Sequence, residues 1–391
     1  MSISGNSRIQ KNHIRHDNTE DKTDLLKHTL VLMTFAGCWP PSSWISSYKY
    51  KFYNVYTLLL VLLLYSFAIS QFMAIVLNAA NPEEFTNVLY MMMTVCIATF
   101  KISNMWVNHR HLADIINTLI EEPFRPVTAA EIKIRQTFDK MIRNNTLFCF
   151  VLVELTCACI ILTSLFTNFR TGDLTYKAWL PFNYSSPTLF SIAYTHQLIC
   201  LLTCALINLA CDCFICGLLL HICCQIEILE YRLNKSHTWE NLRDCVRHHD
   251  LIFESVSFAS VVNKRFAKTI AIQFITSMLV VCSNLYQLAQ ITLSPKHLPL
   301  VLYTVCMMIE IFIYCWFGNE VKLKSLHLID RIFEMDWPEL NNSFRKAFLM
   351  IMNRATIPIE FTSAYLFSMN LESFVGVLRI SYSAYTLLQR I

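Results

Sequence analysis

Three ionisable residues stand inside stretches otherwise free of charge: Lys101, Glu154 and Glu310. Stretches this long and apolar are the material of membrane-crossing helices, where a charge persists only if it is paired, neutralised or wetted. Lys101 falls near one end of its stretch, so its stem is expected to carry the ammonium to the membrane surface. Glu154 and Glu310 fall mid-stretch, and for them function and structural pairing weigh equally. A second constellation, Cys211-x-Cys213-x-x-Cys216 followed by His221 and Cys223-Cys224, offers soft metal ligands at close spacing. All lie on one helical run, where residues two apart point to different faces, so packing accounts for them better than a metal centre. Most of the sixteen cysteines, such as Cys157, Cys200, Cys282 and Cys315, lie in apolar runs, where a free thiol behaves as a small hydrophobe. His248-His249-Asp250 is expected to be a solvated helix face. With six glycines, no glycine-rich phosphate loop and no H-E-x-x-H, the chain offers nothing for an enzyme, a cofactor or a nucleic-acid partner.

The elements that must position these residues are helices in lipid. Apolar residues make up 54% of the 391 and charged ones 15%, against roughly a quarter charged in a soluble domain. The expected class is an all-α polytopic membrane protein. Seven spans are expected: 52–77, 85–107, 146–169, from Pro187 to about Asp212, 269–293, 299–317, and the terminal stretch from Thr356 to Ile391. The first 51 residues are polar with seven Lys or Arg, so the first span is expected to act as its own targeting signal. A short amphipathic piece, 25–35, could lie on the inner membrane face or simply lead into that span.

Lys and Arg concentrate before span one and between spans two and three, four and five, and six and seven, while the other connections are nearly bare. The positive-inside rule therefore predicts a cytoplasmic N-terminus and, after seven crossings, an extracellular C-terminus. The sequon Asn183-Tyr184-Ser185 then falls outside, making Asn183 the candidate glycosylation site. Those at Asn144, Asn234 and Asn341 fall inside. This orientation, with no Asp-Arg-Tyr after span three, disfavours a G-protein-coupled chemoreceptor. A transporter would show repeat symmetry and broken helices, and neither is evident.

The outer halves of the spans gather aromatic, Met and short polar residues: Tyr90 and Met93, Phe166, Phe190, Tyr194 and Gln197, then Tyr303 and Met307. Such side chains suit a cleft for a small apolar molecule, Met being able to repack around different shapes. Read singly, each is also ordinary bundle core. In the terminal stretch, helical spacing from Arg379 brings Tyr382, Ser383, Thr386 and Gln389 onto one face, with Leu378, Ala384, Leu387 and Leu388 opposite. A helix that keeps such groups and also Asn370 and Glu372 is the candidate pore wall. Between spans four and five, Leu229, Leu233, Leu242, Val246, Ile252, Phe253 and Val256 form an apolar stripe at helical spacing that needs a partner.

Tyr314-Cys315-x-Phe317-Gly318-Asn319-Glu320, then Ser325, Trp337, Pro358 and the ending Ser381-Tyr382-Ser383-x-Tyr385-Thr386-Leu387-Leu388 resemble the insect odorant receptor family. Trp179-Leu180-Pro181-Phe182 and Gln197 fit as well. The resemblance implies an odorant-gated, non-selective cation channel in the plasma membrane of a sensory dendrite, assembled as a tetramer with the shared odorant co-receptor. A small volatile odorant would bind in the outer half of each subunit, four seventh helices would line the cation path, and Thr386 would sit at the narrow gate. Cytoplasmic helices would form the main contact between subunits, giving the stripe a purpose beyond packing within the chain. The implied division is a cytoplasmic segment 1–51, a ligand-binding bundle 52–317, and an anchor helix with the pore helix, 318–391. The related gustatory receptors end in Thr-Tyr, five apolar residues and Gln-Phe; here Tyr382 precedes Gln389 by seven positions and Arg390 replaces Phe. A ligand-specific odorant receptor subunit fits better than a gustatory receptor or the co-receptor.

Overall fold

A computed structural model describes residues 26–388 except 42–43, 45–47, 79–81, 237, 255–256, 291–296, 336–340 and 364–366. Gln389, Arg390, Val256 and Trp337 thus lie outside the described residues. The described chain is helical apart from one hairpin. Its helices are α1 (Lys27–Phe35), α2 (Tyr48–Asn78), α3 (Pro82–Thr118), α4 (Ala129–Phe166), α5 (Pro187–Asn234), α6 (Trp239–Phe253), α7 (Phe258–Gln290), α8 (Leu298–Phe333), α9 (Asn342–Ala355) and α10 (Leu371–Leu388). Among the described residues, six helical stretches are long and apolar enough to cross a membrane, and α10 is a shorter seventh element. The protein is an all-α polytopic membrane protein.

Local sequence explains the ends. Thr128 caps α4 by accepting from the Glu131 N–H at 3.3 Å, while the Glu131 carboxylate accepts from the Val127 N–H at 2.8 Å, so two end donors are satisfied together. Pro187, which has no N–H to lose, opens α5. At 48 residues α5 is about 70 Å long, over twice the roughly 30 Å hydrocarbon core, so more than half of it lies outside that core. It is the central post, packed against α1, α2, α3, α4, α6 and α8. Likewise α8 runs unbroken through position 317, where sequence composition suggested a boundary.

Several expectations change. The terminal stretch is not one helix from Thr356: Thr362–Ser363 pairs antiparallel with Phe367–Ser368, and the helix starts at Leu371. Asn370 therefore caps that helix, its Oδ1 accepting from the Ser373 N–H at 2.8 Å. The hairpin sits where it does because of Gly318, since a Cβ there would lie 2.4 Å from the Met369 carbonyl oxygen. Ser325 ties the same junction, its hydroxyl accepting from the Ile359 N–H at 3.0 Å. Helix α1 does not simply lie on a membrane face, because Thr29 and Met33 are buried against the bundle.

The apolar stripe between spans four and five finds its partner inside the chain. Leu229, Leu233, Leu242, Ile252 and Phe253 are buried in one core cluster with Phe348 and Ile351 of α9, and Val246 packs on its edge. Helix α6 lies between α5 and α9, so these residues are covered without another subunit. His248 and His249, expected in solvent, are buried too. The Arg232 guanidinium lies 3.2 Å from His248 Nδ1 and can only donate, which puts the imidazole proton on Nε2, 3.0 Å from Gln225 Oε1. Arg232 also donates to Glu131 and to the Pro123 and Arg125 carbonyls, fastening the 119–128 turn to α5.

Candidate ligand-binding site

A cavity of about 580 Å³ lies between α3, α4, α5, α7 and α8, beneath the loop 172–186. Tyr90, Tyr176, Tyr286 and Tyr303 line it towards the loop. Tyr90 and Tyr303 have ring centroids 5.6 Å apart, Tyr90 and Tyr176 6.4 Å, both within the range of favourable aromatic pairs. Thr94, one helical turn after Tyr90, hydrogen-bonds the Tyr303 hydroxyl and so joins α3 to α8 across the cavity.

Tyr176 comes from the loop, and three contacts hold it in. Gln197 on α5 accepts from the Tyr176 N–H at 3.0 Å and donates to its carbonyl at 2.9 Å. Ser70 on α2 exchanges two hydrogen bonds with the Trp179 backbone, and Gln71 donates to the Lys177 carbonyl at 3.1 Å. The Trp179-Leu180-Pro181-Phe182 segment thus begins with a strand-like clasp onto α2. Burial pushes the Tyr176 phenol well above its ordinary pKa, with Tyr90 and Tyr303 adding to the effect, so it stays a neutral hydroxyl.

Of the residues expected to touch a ligand, Tyr90, Tyr303 and Met307 line the cavity. Met93 packs beside Met307 on the small cluster of Val280 and Val281. Tyr194 stands one layer back, its hydroxyl 2.8 Å from Ser164, which lines the cavity and also bonds Thr175 at 2.7 Å. Phe190 packs on Phe169 and Tyr194, Phe166 is 64% exposed, and Gln197 is the clamp on Tyr176. Thr94, Tyr176, Cys204, Gln273 and Asp212 line the cavity without having been anticipated. A signal existed for Asp212, a charge in an unbroken apolar helix, but it reads equally as the end of a span.

At the far end of the cavity from the loop lies a charge cluster. Lys101 does not reach a membrane surface: its side chain is 0% exposed, with Nζ 2.5 Å from Asp212 Oδ1 and 3.4 Å from Glu310 Oε1. The Tyr314 hydroxyl donates to Asp212 Oδ1 at 2.7 Å. Glu310 is thus paired, while Glu154 is half-buried with no hydrogen bond or ion pair among the described residues. Cys211, Cys213, Cys216, His221, Cys223 and Cys224 are all buried in packing, and no group of three or more metal-ligating side chains forms among the described residues.

On α10, Val377 and Ser381 are buried against the chain's own helices, and Cys282 of α7 approaches the Ser381 carbonyl. Arg379, Tyr382 and Ser383 point away from them and are exposed, with Thr386 partly so. Asn183 is exposed in the loop, its Oδ1 accepting from the Ser185 N–H and hydroxyl.

A family model described as 7tm Odorant receptor matches residues 81–382, well over half the chain. The chain belongs to the odorant receptor family. It is 24% identical over 392 residues to odorant receptor 46a, isoform B, of Drosophila melanogaster, covering 94% of this chain and 98% of that one. To odorant receptor Or1 of Anopheles gambiae it is 20% identical over 409 residues, covering 94% and 96%. The olfactory receptor OR5 of Machilis hrabei, solved in complex with eugenol, shares the fold at a TM-score of 0.84 and 19% identity, covering 95% of this chain and 99% of that one. The receptor is a multi-pass membrane protein and not an enzyme.

Proposed function

We propose that this receptor is the ligand-specific subunit of an odorant-gated, non-selective cation channel, which binds a small volatile molecule in the cavity and opens a pore shared with the odorant co-receptor. The observation that carries this reading is the path along α8. Tyr303, Met307 and Glu310 line the cavity, and Gly318, two turns further on, seats the backbone that leads into α10. A ligand that shifts α8 therefore acts on the backbone that packs directly on Gly318 and leads into α10. The face of Arg379, Tyr382 and Ser383, with Thr386 partly exposed beside them, is left open by the described residues, which fits a wall facing a shared aqueous path. Cytoplasmic N-terminus, extracellular C-terminus and an outward Asn183 follow from the distribution of Lys and Arg.

The test is co-expression with the co-receptor in cells that lack other odorant receptors, with a panel of volatiles and cysteine substitutions on α10. Ser383→Cys and Thr386→Cys are expected to react with a charged thiol reagent from outside, mainly in the presence of an active volatile, and the current should fall. Ser381→Cys on the buried face should stay inert. Reaction at Ser381 alone would reject this face as the pore wall.

A further inference from the structure

We propose that the deep end of the cavity is built for a cationic, hydrogen-bond-donating headgroup, so that the ligands this receptor binds best are small amphipathic amines. The inference rests on the cavity being the ligand site.

Charge balance is the first observation. One cation, Lys101, faces two carboxyl groups, so either a shared proton or one further cation completes the balance; Lys101 is sealed behind them, whereas the side chains of Asp212 and Glu310 keep 13% and 17% exposure and both line the cavity. A ligand at this end therefore meets carboxylate oxygens and not the ammonium. The Tyr314 hydroxyl does not offset this, because its proton is already given to Asp212.

The second observation is independent of the carboxylates. Gln273 is 1% exposed and lines the same cavity; its Nε2 donates to Ser277 at 2.9 Å, which leaves Oε1 without a partner. Asn208, also on the wall, spends its Nδ2 on the Cys204 sulfur and leaves Oδ1 unpartnered. A buried acceptor without a donor is costly, and an unmatched buried charge more so. Among the fully buried side-chain atoms of the lining, the unpartnered donor is Gln287 Nε2, which sits beside Tyr286 near the loop end of α7, away from the acid cluster. An ammonium brings three donors to these acceptors and supplies the second positive charge that a proton on the acid pair would otherwise provide.

The rest of the cavity suits the body of such a molecule. From Pro299 to Glu310 the wall of α8 extends about 16 Å at roughly 1.5 Å per residue, and Met307, Leu152, Val153 and the tyrosine rings supply apolar surface. A carboxylic acid of the same skeleton would place like charges together at the deep end.

The test uses one skeleton with three headgroups: phenethylamine, phenethyl alcohol and phenylacetic acid. Binding to the full-length chain purified in detergent is read as a thermal shift across a titration, which requires no channel opening. The amine should stabilise at about ten- to hundredfold lower concentration than the alcohol, and the acid should not stabilise at all. Glu310→Gln should bring amine and alcohol together. Should that variant fail to fold, the three-way comparison on the natural chain decides alone. Equal midpoints, preference for the acid, or no shift with any of the three would overturn the proposal. A receptor that gives currents with neutral volatiles yet shows no amine preference would keep the channel reading and lose this one. Amine binding without any current would do the reverse.

Discussion

Gln197 completes both backbone hydrogen bonds of Tyr176, accepting from its N–H at 3.0 Å and donating to its carbonyl at 2.9 Å. One buried amide on α5 thereby does for the loop what a neighbouring strand would do, and it puts an aromatic side chain into the cavity wall. Gln197→Leu should leave both backbone groups of Tyr176 unpaired, at about 1–3 kcal/mol each. We expect a lowered melting temperature and faster proteolysis within 172–186. Gln197→Glu keeps an acceptor only and should fall between the two. An unchanged protease pattern in the Leu variant would show that the Ser70–Trp179 clasp suffices by itself.

Tyr303 and Tyr194 separate by depth. Tyr303 is a wall of the cavity, whereas Tyr194 acts through Ser164. Truncating a well-buried contact removes about 1.5–3 kcal/mol of apolar burial, so Tyr303→Ala should move the dose-response by about ten- to hundredfold. Tyr194→Phe removes only the hydroxyl and should shift it far less. Dose-response curves in which Tyr194→Phe is the more damaging change would relocate the ligand towards α4.

Lys101→Met should damage the fold more than function. Removing one partner of a buried ion pair leaves an uncompensated charge, at about 3–5 kcal/mol, and here two carboxylates lose their cation. The expected readout is loss of surface expression and of the thermal transition in detergent. Lys101→Met combined with Asp212→Asn removes charge from both sides and should recover part of that loss. A Lys101→Met variant as stable as the natural chain would mean that water, not Lys101, compensates Asp212 and Glu310.

Gly318→Ala tests the seat between α8 and the chain leading to α10. The added carbon would stand 2.4 Å from the Met369 carbonyl oxygen, and because that atom is backbone the hairpin must move. Overpacking of this kind costs about 1–3 kcal/mol. We expect normal ligand-induced thermal stabilisation but weaker gating, seen as reduced maximal current with little change in half-maximal concentration. Reduced ligand stabilisation with normal maximal current would place the seat outside the coupling path.

Hydropathy and charge distribution were enough to read the six long crossing helices and the burial of most cysteines. Those properties are local: a run of apolar side chains must be helical in lipid whatever surrounds it, because only then are its backbone groups satisfied. Motif residues likewise pointed to the family before any contact was known. Tertiary structure alone decided which polar groups meet. Lys101 and Asp212 lie 111 positions apart, and their pairing depends on the relative rotation and depth of α3 and α5. A single helix cannot record either quantity. The same holds for the stripe of Leu242 and Phe253, whose periodicity demanded a partner without saying that α5 and α9 would supply it. It holds also for Asn370, which reads as a polar residue in a span until the hairpin before it shows the helix beginning there. Periodicity states that a face will be covered; only the packed chain states by what.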